Sequence, residues 1–214
     1  MSTDRSSGEE LLEFLAVMRR LRAECPWKRE QTHRSLARYL LEETHETLEA
    51  LDTGSAEHLR EELGDLLLQI YFHAVIAEES GDFTIDDVAR DITEKMVRRN
   101  PHVFGDGSAI DGAIGGAIGG AMPSDAREVN ELWESVKAVE KQRKSVTDGI
   151  SPTLPALLYA DKVLDRLERA GAAPAPGGDA LGDRLLALVA EARETGTDPE
   201  QALRDAVRRL VSDS

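Results

Sequence analysis

The stretch that decides the fold runs from Glu42 to Asp65 and reads EETHETLEALDTGSAEHLREELGD. Each half contains two acidic residues three positions apart, Glu43 with Glu46 and Glu62 with Asp65. Residues at this spacing share one face of a helix. The polar break from Asp52 to Ser55 predicts that two helices fold back on each other. Four carboxylates would then meet, and a hard divalent cation such as Mg²⁺, which prefers oxygen ligands, would relieve their repulsion.

The plain alternative is that these acids only solvate a helix pair in a chain with 41 acidic residues and a net charge of −15. Two features favour a metal site: leucines flank the acids, and Arg60 is the only Lys or Arg in the stretch. Consecutive helices joined by a tight turn also assemble carboxylate metal sites inside helical bundles. A di-iron site would need a second Glu-x-x-His step besides Glu42 and His45, and the helix predicted after Ser55 contains none.

Composition indicates an all-α protein with one substantial domain or one and a half small ones. The 214 residues are 41% hydrophobic but only 4% aromatic, and Leu, Ala, Glu and Arg dominate, which favours helices over strands. The negative charge argues against nucleic acid or an anionic membrane as a partner, since both attract basic surfaces. It does not exclude a nucleotide, whose charge a metal and a few local cations can balance.

Targeting and redox signals are sparse. No apolar run approaches the ~18–20 residues of a membrane span, and the polar start from Met1 to Glu10 resembles neither a signal nor a transit peptide. The lone Cys25 excludes an intramolecular disulfide and a cysteine-based zinc site. We therefore expect a cytoplasmic protein.

Apolar periodicity and capping residues predict six helices before the C-terminal repeat. The first starts near Leu11 and stops at Cys25, because Pro26 disfavours a helical residue before it. Thr32 and Ser55 are the predicted N-caps of the second and third helices. A capping box formed by Thr84 and Asp87 predicts the start of the fourth. The second helix is expected to end near Leu51, the third near Glu79 and the fourth at Arg99, with the fifth over 124–144 and the sixth over 156–170.

Two features near these helices have open interpretations. Lys95 and Arg99 lie one turn apart at the end of the fourth helix, where the helix dipole alone favours cations, although they could also hold phosphates. Trp27 lies in the predicted loop from Cys25 to Gln31 and is either a packing anchor or a ligand contact. The Gly- and Ala-rich run before Pro123 lacks the Gly-Lys-Ser/Thr ending of a P-loop, so it predicts a flexible insertion.

One internal repeat is present. Leu63-Gly64-Asp65 recurs as Leu181-Gly182-Asp183, and both copies continue into an apolar helix, a Gly-containing break and a helix that ends in paired arginines. Ala180 stands where Glu62 stands in the first copy, and the first acidic half is missing. The second copy should therefore be unable to form the metal site.

These motifs together resemble the MazG family of nucleoside triphosphate pyrophosphohydrolases. The resemblance covers most of 10–106 and parts of 124–170. It rests on Cys25-Pro26-Trp27, Glu30-Gln31-Thr32-His33, Leu41-Glu42-Glu43 with Glu46, Glu61-Glu62-Leu63-Gly64-Asp65, Arg98-Arg99-Asn100-Pro101-His102-Val103-Phe104-Gly105, Trp133-Glu134-x-x-Lys137 and Leu154-Pro155-Ala156-Leu157.

The resemblance implies an all-α bundle that completes its core as a homodimer and converts an NTP or dNTP and water to the monophosphate and pyrophosphate. Mg²⁺, with Mn²⁺ as a possible substitute, would be the cofactor. The implied metal ligands are Glu43, Glu46, Glu62 and Asp65. Glu42 would orient or deprotonate the water. The implied substrate contacts are Trp27, Gln31, Lys95, Arg98 and Arg99. Lys28 departs from the family, which commonly has an aspartate there.

The expected organisation follows from these assignments. The predicted segments are a disordered N-terminus (1–9), a catalytic domain (10–106), a flexible loop (107–123), connecting helices (124–170), a linker (171–178) and a truncated, degenerate repeat (179–214). The expected role is nucleotide-pool housecleaning. A pyrophosphatase restricted to substrates such as dUTP or dCTP, or a non-catalytic helical regulatory or interaction module, would fit the same pattern.

Overall fold

The computed structural model describes residues 8–104, 123, 125–141, 145–172 and 177–213. All regular structure in these residues is helical, which confirms the predicted all-α class. The chain divides into two compact units, Met1–Pro123 and Ser124–Ser214. Nearly all of the predicted disordered start and flexible loop, and the middle of the predicted linker, lie outside the described residues. None of the described helices has the length and apolarity that a bilayer crossing requires.

The first unit contains six described helices. They are α1 (Glu9–Glu24), α2 (Pro26–Glu30), α3 (His33–Thr53), α4 (Ala56–Ser80), α5 (Ile85–Arg99) and α6 (Pro101–Phe104). The short α2 corrects the predicted loop over Cys25 to Gln31. Pro26 occupies the first helical position, where its fixed φ suits a helix and its missing N–H costs nothing.

The hairpin of α3 and α4 is the centre of this unit and forms as predicted. Gly54 ends α3 in the left-handed conformation with φ 71°, which a glycine adopts without a Cβ penalty. The side chain of Ser55 then accepts a hydrogen bond from the backbone N–H of His58 and caps α4. At the other end of α3, Thr32 and Ser35 form a capping box. The two long helices pack along each other and carry the two halves of the acidic stretch.

A compact apolar core joins α1 to this hairpin. Its buried members are Leu15 and Met18 on α1, Leu36 on α3, and Tyr71, Phe72 and Val75 on α4. The ring centroids of Phe14 and Tyr71 lie 5.0 Å apart. Ion pairs from Arg19 to Glu78 and from Arg22 to Glu79 reinforce the contact between α1 and the end of α4. The core therefore uses the C-terminal half of α4 and leaves its N-terminal half for the acids.

Helix α5 begins with the predicted Thr84–Asp87 capping box. One of its faces is apolar but solvent-exposed, because Val88, Ile92 and Met96 are each more than a third exposed. These residues recur at every fourth position, so they form one stripe along the helix. We call Val88, Ile92 and Met96 the α5 stripe.

The second unit contains four described helices. They are α7 (Ala126–Lys141), α8 (Ala156–Arg169), α9 (Leu181–Glu194) and α10 (Pro199–Ser212). Helices α9 and α10 pack on α8, and Arg193 of α9 lies within ion-pair distance of three acids on α8, Asp161, Asp165 and Glu168. Gly196, with φ 69°, separates α9 from α10 as Gly81, with φ 73°, ends α4 before α5. This parallel is consistent with the predicted repeat, which stays a prediction.

Candidate active site

Three carboxylates from the α3–α4 hairpin converge. One oxygen from each of Glu43, Glu62 and Asp65 lies within 4.8 Å of the others. Glu43 comes from α3, and the other two occupy one face of α4 because they are three residues apart. The tight turn at Gly54 brings the two faces together. We refer to Glu43, Glu62 and Asp65 as the carboxylate cluster.

Glu62 is the buried member of the carboxylate cluster, with a relative exposure of 8%. Its Oε1 lies 3.1 Å from His58 Nε2, whereas its Oε2 is buried and has no hydrogen-bond partner within the described part of the chain. A buried carboxylate oxygen without a partner is costly, since charged groups lose their hydration when they are buried. Such an atom is a candidate ligand for a cation.

The electrostatics around Glu43 also favour a positive charge. Burial raises the pKa of this carboxyl above its ordinary value of 4.5, and the negative charges of Asp65, Glu46 and Glu62 and a hydrogen bond with Glu46 raise it further. Each of these carboxylates therefore makes the ionised form of Glu43 less favourable. A cation among them would reverse this effect, because it attracts every carboxylate in the set.

The other two predicted acids lie at the margin of the carboxylate cluster. Glu46 is exposed and interacts electrostatically with Glu43, but it is not one of the three residues whose ligand atoms converge. Glu42 is exposed as well. Their predicted roles as metal ligand and water-orienting residue stay predictions.

The predicted substrate cations end helix α5. Lys95 is half-buried, Arg98 is exposed and Arg99 is buried, with a relative exposure of 7%. An arginine that lies so deep has its guanidinium held by the protein. The structure thus distinguishes Arg99 from Arg98, a difference that their adjacent positions in the sequence did not indicate. Their contact with phosphates stays a prediction.

Trp27 and Gln31 lie at the two ends of α2. The Trp27 ring is 48% exposed and meets the Tyr39 ring edge-on, with 5.9 Å between the centroids. Gln31 Nε2 donates to the Trp27 carbonyl at 2.9 Å, and its Oε1 accepts from Ser35 Oγ at 2.8 Å. Trp27 therefore packs against Tyr39 and is also exposed to solvent, and its contact with the substrate stays a prediction.

Three contacts, two at the α2 segment and one at the carboxylate cluster, were not predicted from the sequence. Lys28 places its ammonium 5.0 Å from the centroid of the buried Phe72 ring, which accounts for a cation at this position by a cation–π contact. Arg22 donates to the carbonyls of Lys28 and Gln31 and so fixes the end of α2. His58 contacts Glu62. Only the last had a signal in the sequence, since residues four apart on a helix are neighbours.

Comparisons with known proteins agree with this architecture. The family model described as the MazG nucleotide pyrophosphohydrolase domain matches residues 31–104, which include the whole carboxylate cluster. The chain is 36% identical over 234 residues to the nucleoside triphosphate pyrophosphohydrolase/pyrophosphatase MazG of Thermotoga maritima, covering 97% of this chain and 85% of that protein.

Two other relatives are named nucleoside triphosphate pyrophosphohydrolases. The Mycobacterium tuberculosis protein is 43% identical over 97% of this chain and 58% of its own length. The Escherichia coli K12 protein is 37% identical over 86% of this chain and 68% of its own length. The chain thus spans little more than half of the mycobacterial relative and most of the other two.

Proposed function

The chain belongs to the MazG family of nucleotide pyrophosphohydrolases, and we propose that it hydrolyses nucleoside triphosphates to monophosphates and pyrophosphate with a divalent cation held by the carboxylate cluster. The observation that carries this proposal is the convergence of Glu43, Glu62 and Asp65 within 4.8 Å. One buried oxygen of Glu62 has no hydrogen-bond partner among the residues that the structure describes. Oxygen ligands of this kind suit Mg²⁺ and, as a substitute, Mn²⁺.

The donor set fits a cation better than it fits a solvated surface. A solvated acidic face keeps its carboxylates in water, whereas Glu62 is buried and Glu43 is half-buried. The acids also raise the pKa of Glu43 instead of being neutralised by neighbouring bases. The arrangement therefore supports a cation site over a helix pair whose acids are only solvated.

The cation would neutralise charge on the phosphate oxygens and make water a better nucleophile, as divalent cations do in phosphoryl hydrolysis. The protein's own part is positioning and fixed electrostatics. Glu43, Glu62 and Asp65 would hold the cation, and Glu46 would complete its acidic surroundings from the next turn of α3. Glu42, which precedes Glu43 on α3, would orient the attacking water and accept its proton.

The substrate would be held by groups on other elements. We propose that Lys95, Arg98 and Arg99 of α5 pair with the phosphates, the buried Arg99 as the fixed member and the other two as adaptable ones. Trp27 is 48% exposed and would stack with a nucleobase, and Gln31 donates to the Trp27 carbonyl. Stacking on an aromatic ring tolerates every base, so we propose a broad substrate range that includes deoxynucleotides.

We also propose a housecleaning role for the enzyme and a homodimeric assembly. A broad pyrophosphohydrolase would remove unwanted nucleotides from the cytoplasmic pool, which is the housecleaning role expected from the sequence. The exposed α5 stripe supports a homodimer, because an apolar helical face in water favours association with a complementary surface.

Product identification tests the proposal. The full chain is incubated with a mixed pool of NTPs and dNTPs, with Mg²⁺ or with a chelator, and the products are separated by ion-exchange chromatography. We expect Mg²⁺-dependent release of monophosphate and pyrophosphate from several bases. Release of diphosphate and inorganic phosphate, or no Mg²⁺-dependent hydrolysis, would contradict it. Activity on dUTP or dCTP alone would replace the broad range with the narrower enzyme.

A further inference from the structure

We propose that His58 is a positioning residue for the cation site, which it serves by holding one oxygen of Glu62 so that the other oxygen is always the one presented to the cation. The inference rests on the proposed function. His58 Nε2 lies 3.1 Å from Glu62 Oε1, and the two residues are four apart on α4. The structure thus places a ring nitrogen of His58 beside one oxygen of the buried carboxylate, on the same helix.

The two oxygens of Glu62 have different surroundings. Oε1 has the His58 ring beside it, while Oε2 is buried without a hydrogen-bond partner within the described residues. The last torsion of a glutamate side chain is broad and nearly two-fold, so a free carboxylate would exchange its oxygens. A contact at Oε1 restricts this rotation, and Oε2 is left as the ligand.

The position of His58 is itself fixed by the start of α4. Its backbone N–H donates to the side chain of the N-cap residue Ser55 at 3.2 Å, so His58 belongs to the capped first turn of the helix. The His58 side chain is 38% exposed, whereas that of Glu62 is 10% exposed. The ring therefore reaches from the solvent edge of the first turn toward a buried carboxylate. Groups that orient metal ligands in this way typically change metal affinity by ~10–100-fold when they are lost.

The test compares three variants of His58 in the full chain. In His58→Gln the amide keeps an N–H at a length close to that of Nε2. In His58→Asn the amide is too short to reach Glu62, and in His58→Leu the donor is removed. Arg60→Gln is the matched control, because Arg60 is exposed two residues further along the same helix. The probe is Mn²⁺ alone, with affinity measured by calorimetry and unfolding followed by circular dichroism.

We expect Mn²⁺ affinity to fall about tenfold in His58→Leu and His58→Asn and to stay within about threefold of wild type in His58→Gln and Arg60→Gln. In turnover assays, the Mg²⁺ concentration for half-maximal rate should rise in the first two variants, while the nucleotide KM at saturating Mg²⁺ stays unchanged. If His58 only supported the fold, its loss would not raise the Mg²⁺ requirement while leaving the nucleotide KM unchanged, and His58→Gln would not restore Mn²⁺ affinity.

The positioning role would be overturned if His58→Asn or His58→Leu bound Mn²⁺ as tightly as wild type. It would also be overturned if His58→Gln lost as much Mn²⁺ affinity as those two variants. If His58→Leu does not fold, the polar His58→Asn decides the question. A wild-type chain that binds Mn²⁺ and hydrolyses nucleotides while the His58 variants bind it equally well would refute only this inference. A wild-type chain that binds no Mn²⁺ would refute the proposed function with it.

Discussion

At the scale of the residue, Glu62 is the key group of the candidate site, because it is a carboxylate that the fold buries. Its carboxylate lies close to those of Glu43 and Asp65, and one of its oxygens has no hydrogen-bond partner in the described part of the chain. A protein that only needed stability would place a neutral or apolar group there. The burial is therefore better understood as preparation for a cation than as part of the core.

Glu62→Gln should separate stability from function. The amide has the same shape without the charge, so the metal-free protein should be as stable as wild type or more stable, by up to about 1–2 kcal/mol. Hydrolysis should fall by at least ~100-fold, because the lost carboxylate would hold the cation that neutralises charge in the transition state. Thermal unfolding in chelator and initial rates measure the two effects.

The control is Glu61→Gln, which removes the adjacent exposed carboxylate. It should change neither the metal-free stability beyond ~0.5 kcal/mol nor the rate substantially. If Glu62→Gln lowered the metal-free stability sharply while Glu61→Gln did not, the carboxylate would be structural and the interpretation would be wrong.

His73 is expected to make the stability of the fold depend on pH. Its ring stacks on His33 with an angle of 2° between the planes, and the two Nδ1 atoms lie 2.7 Å apart. Burial, and then the nearby His33, lower the pKa of His73 below its ordinary 6.5. Below about pH 6.5 the unfolded chain takes up a proton at His73 that the folded chain binds more weakly. The free energy of unfolding therefore falls as the pH is lowered, until the pH lies below the pKa of His73 in the folded chain.

We therefore expect the melting temperature to fall as the pH is lowered from about 7.5 to about 5.5. The His73→Phe variant should show a smaller fall, because phenylalanine keeps a flat ring but does not titrate. The comparison is a set of thermal melts across that range. His45→Gln, which removes an exposed histidine of α3, should melt like wild type at each pH. An identical fall in His73→Phe would mean that other groups cause it.

At the scale of the element, the short helix α2 depends on Arg22. The last carbonyls of a helix have no partner within it, and the Arg22 guanidinium supplies one to the carbonyls of Lys28 and Gln31, the latter at 2.9 Å. The same side chain is only 11% exposed and also pairs with Glu79 of α4. One arginine on α1 thus ties the Trp27 segment to the hairpin.

Arg22→Met keeps the length of the side chain but removes every hydrogen-bond donor, so it should lower the free energy of unfolding by about 1–3 kcal/mol. The nucleotide KM should rise several-fold, because the segment that contains Trp27 is no longer held by Arg22. Mn²⁺ affinity should stay unchanged. Arg19→Met is the matched control, since Arg19 is 50% exposed and pairs with Glu78 at the surface. A KM equal to that of Arg19→Met would show that α2 does not serve the substrate.

The same element marks the limit of prediction from sequence. The long helices and the caps at Thr32, Ser55 and Thr84 were predictable, because periodicity and capping are local. The helical turn over Pro26–Glu30 was not, since its stability depends on Arg22 in a different helix. The convergence of Glu43 with Glu62 and Asp65 followed from spacing, but the burial of Glu62 and Arg99 depends on packing between elements.

At the scale of the whole molecule, the α5 stripe leads to a prediction about assembly. We expect the chain to be a dimer, and Ile92→Glu to shift it toward monomer, because a charge on an apolar contact surface must be desolvated without a partner. Ile92 is 45% exposed. Sedimentation equilibrium gives the masses.

Asp91→Lys is the control for this prediction, since Asp91 is exposed and lies about 100° around the helix from Ile92. It should leave the dimer intact despite a larger change in charge. A monomeric wild type, or an Ile92→Glu variant that dimerises as tightly as wild type, would show that the α5 stripe serves another purpose.

The measurement that tests the central claim most directly is the uptake of Mn²⁺ by the metal-free chain, followed by the electron paramagnetic resonance signal of free Mn²⁺. The variants are Glu62→Gln and Asp183→Asn, the latter altering the acid that corresponds to Asp65 in the second sequence copy. We predict that wild type and Asp183→Asn take up Mn²⁺ equally and that Glu62→Gln takes up almost none. Equal uptake by Glu62→Gln would contradict the assignment of the metal site to the carboxylate cluster.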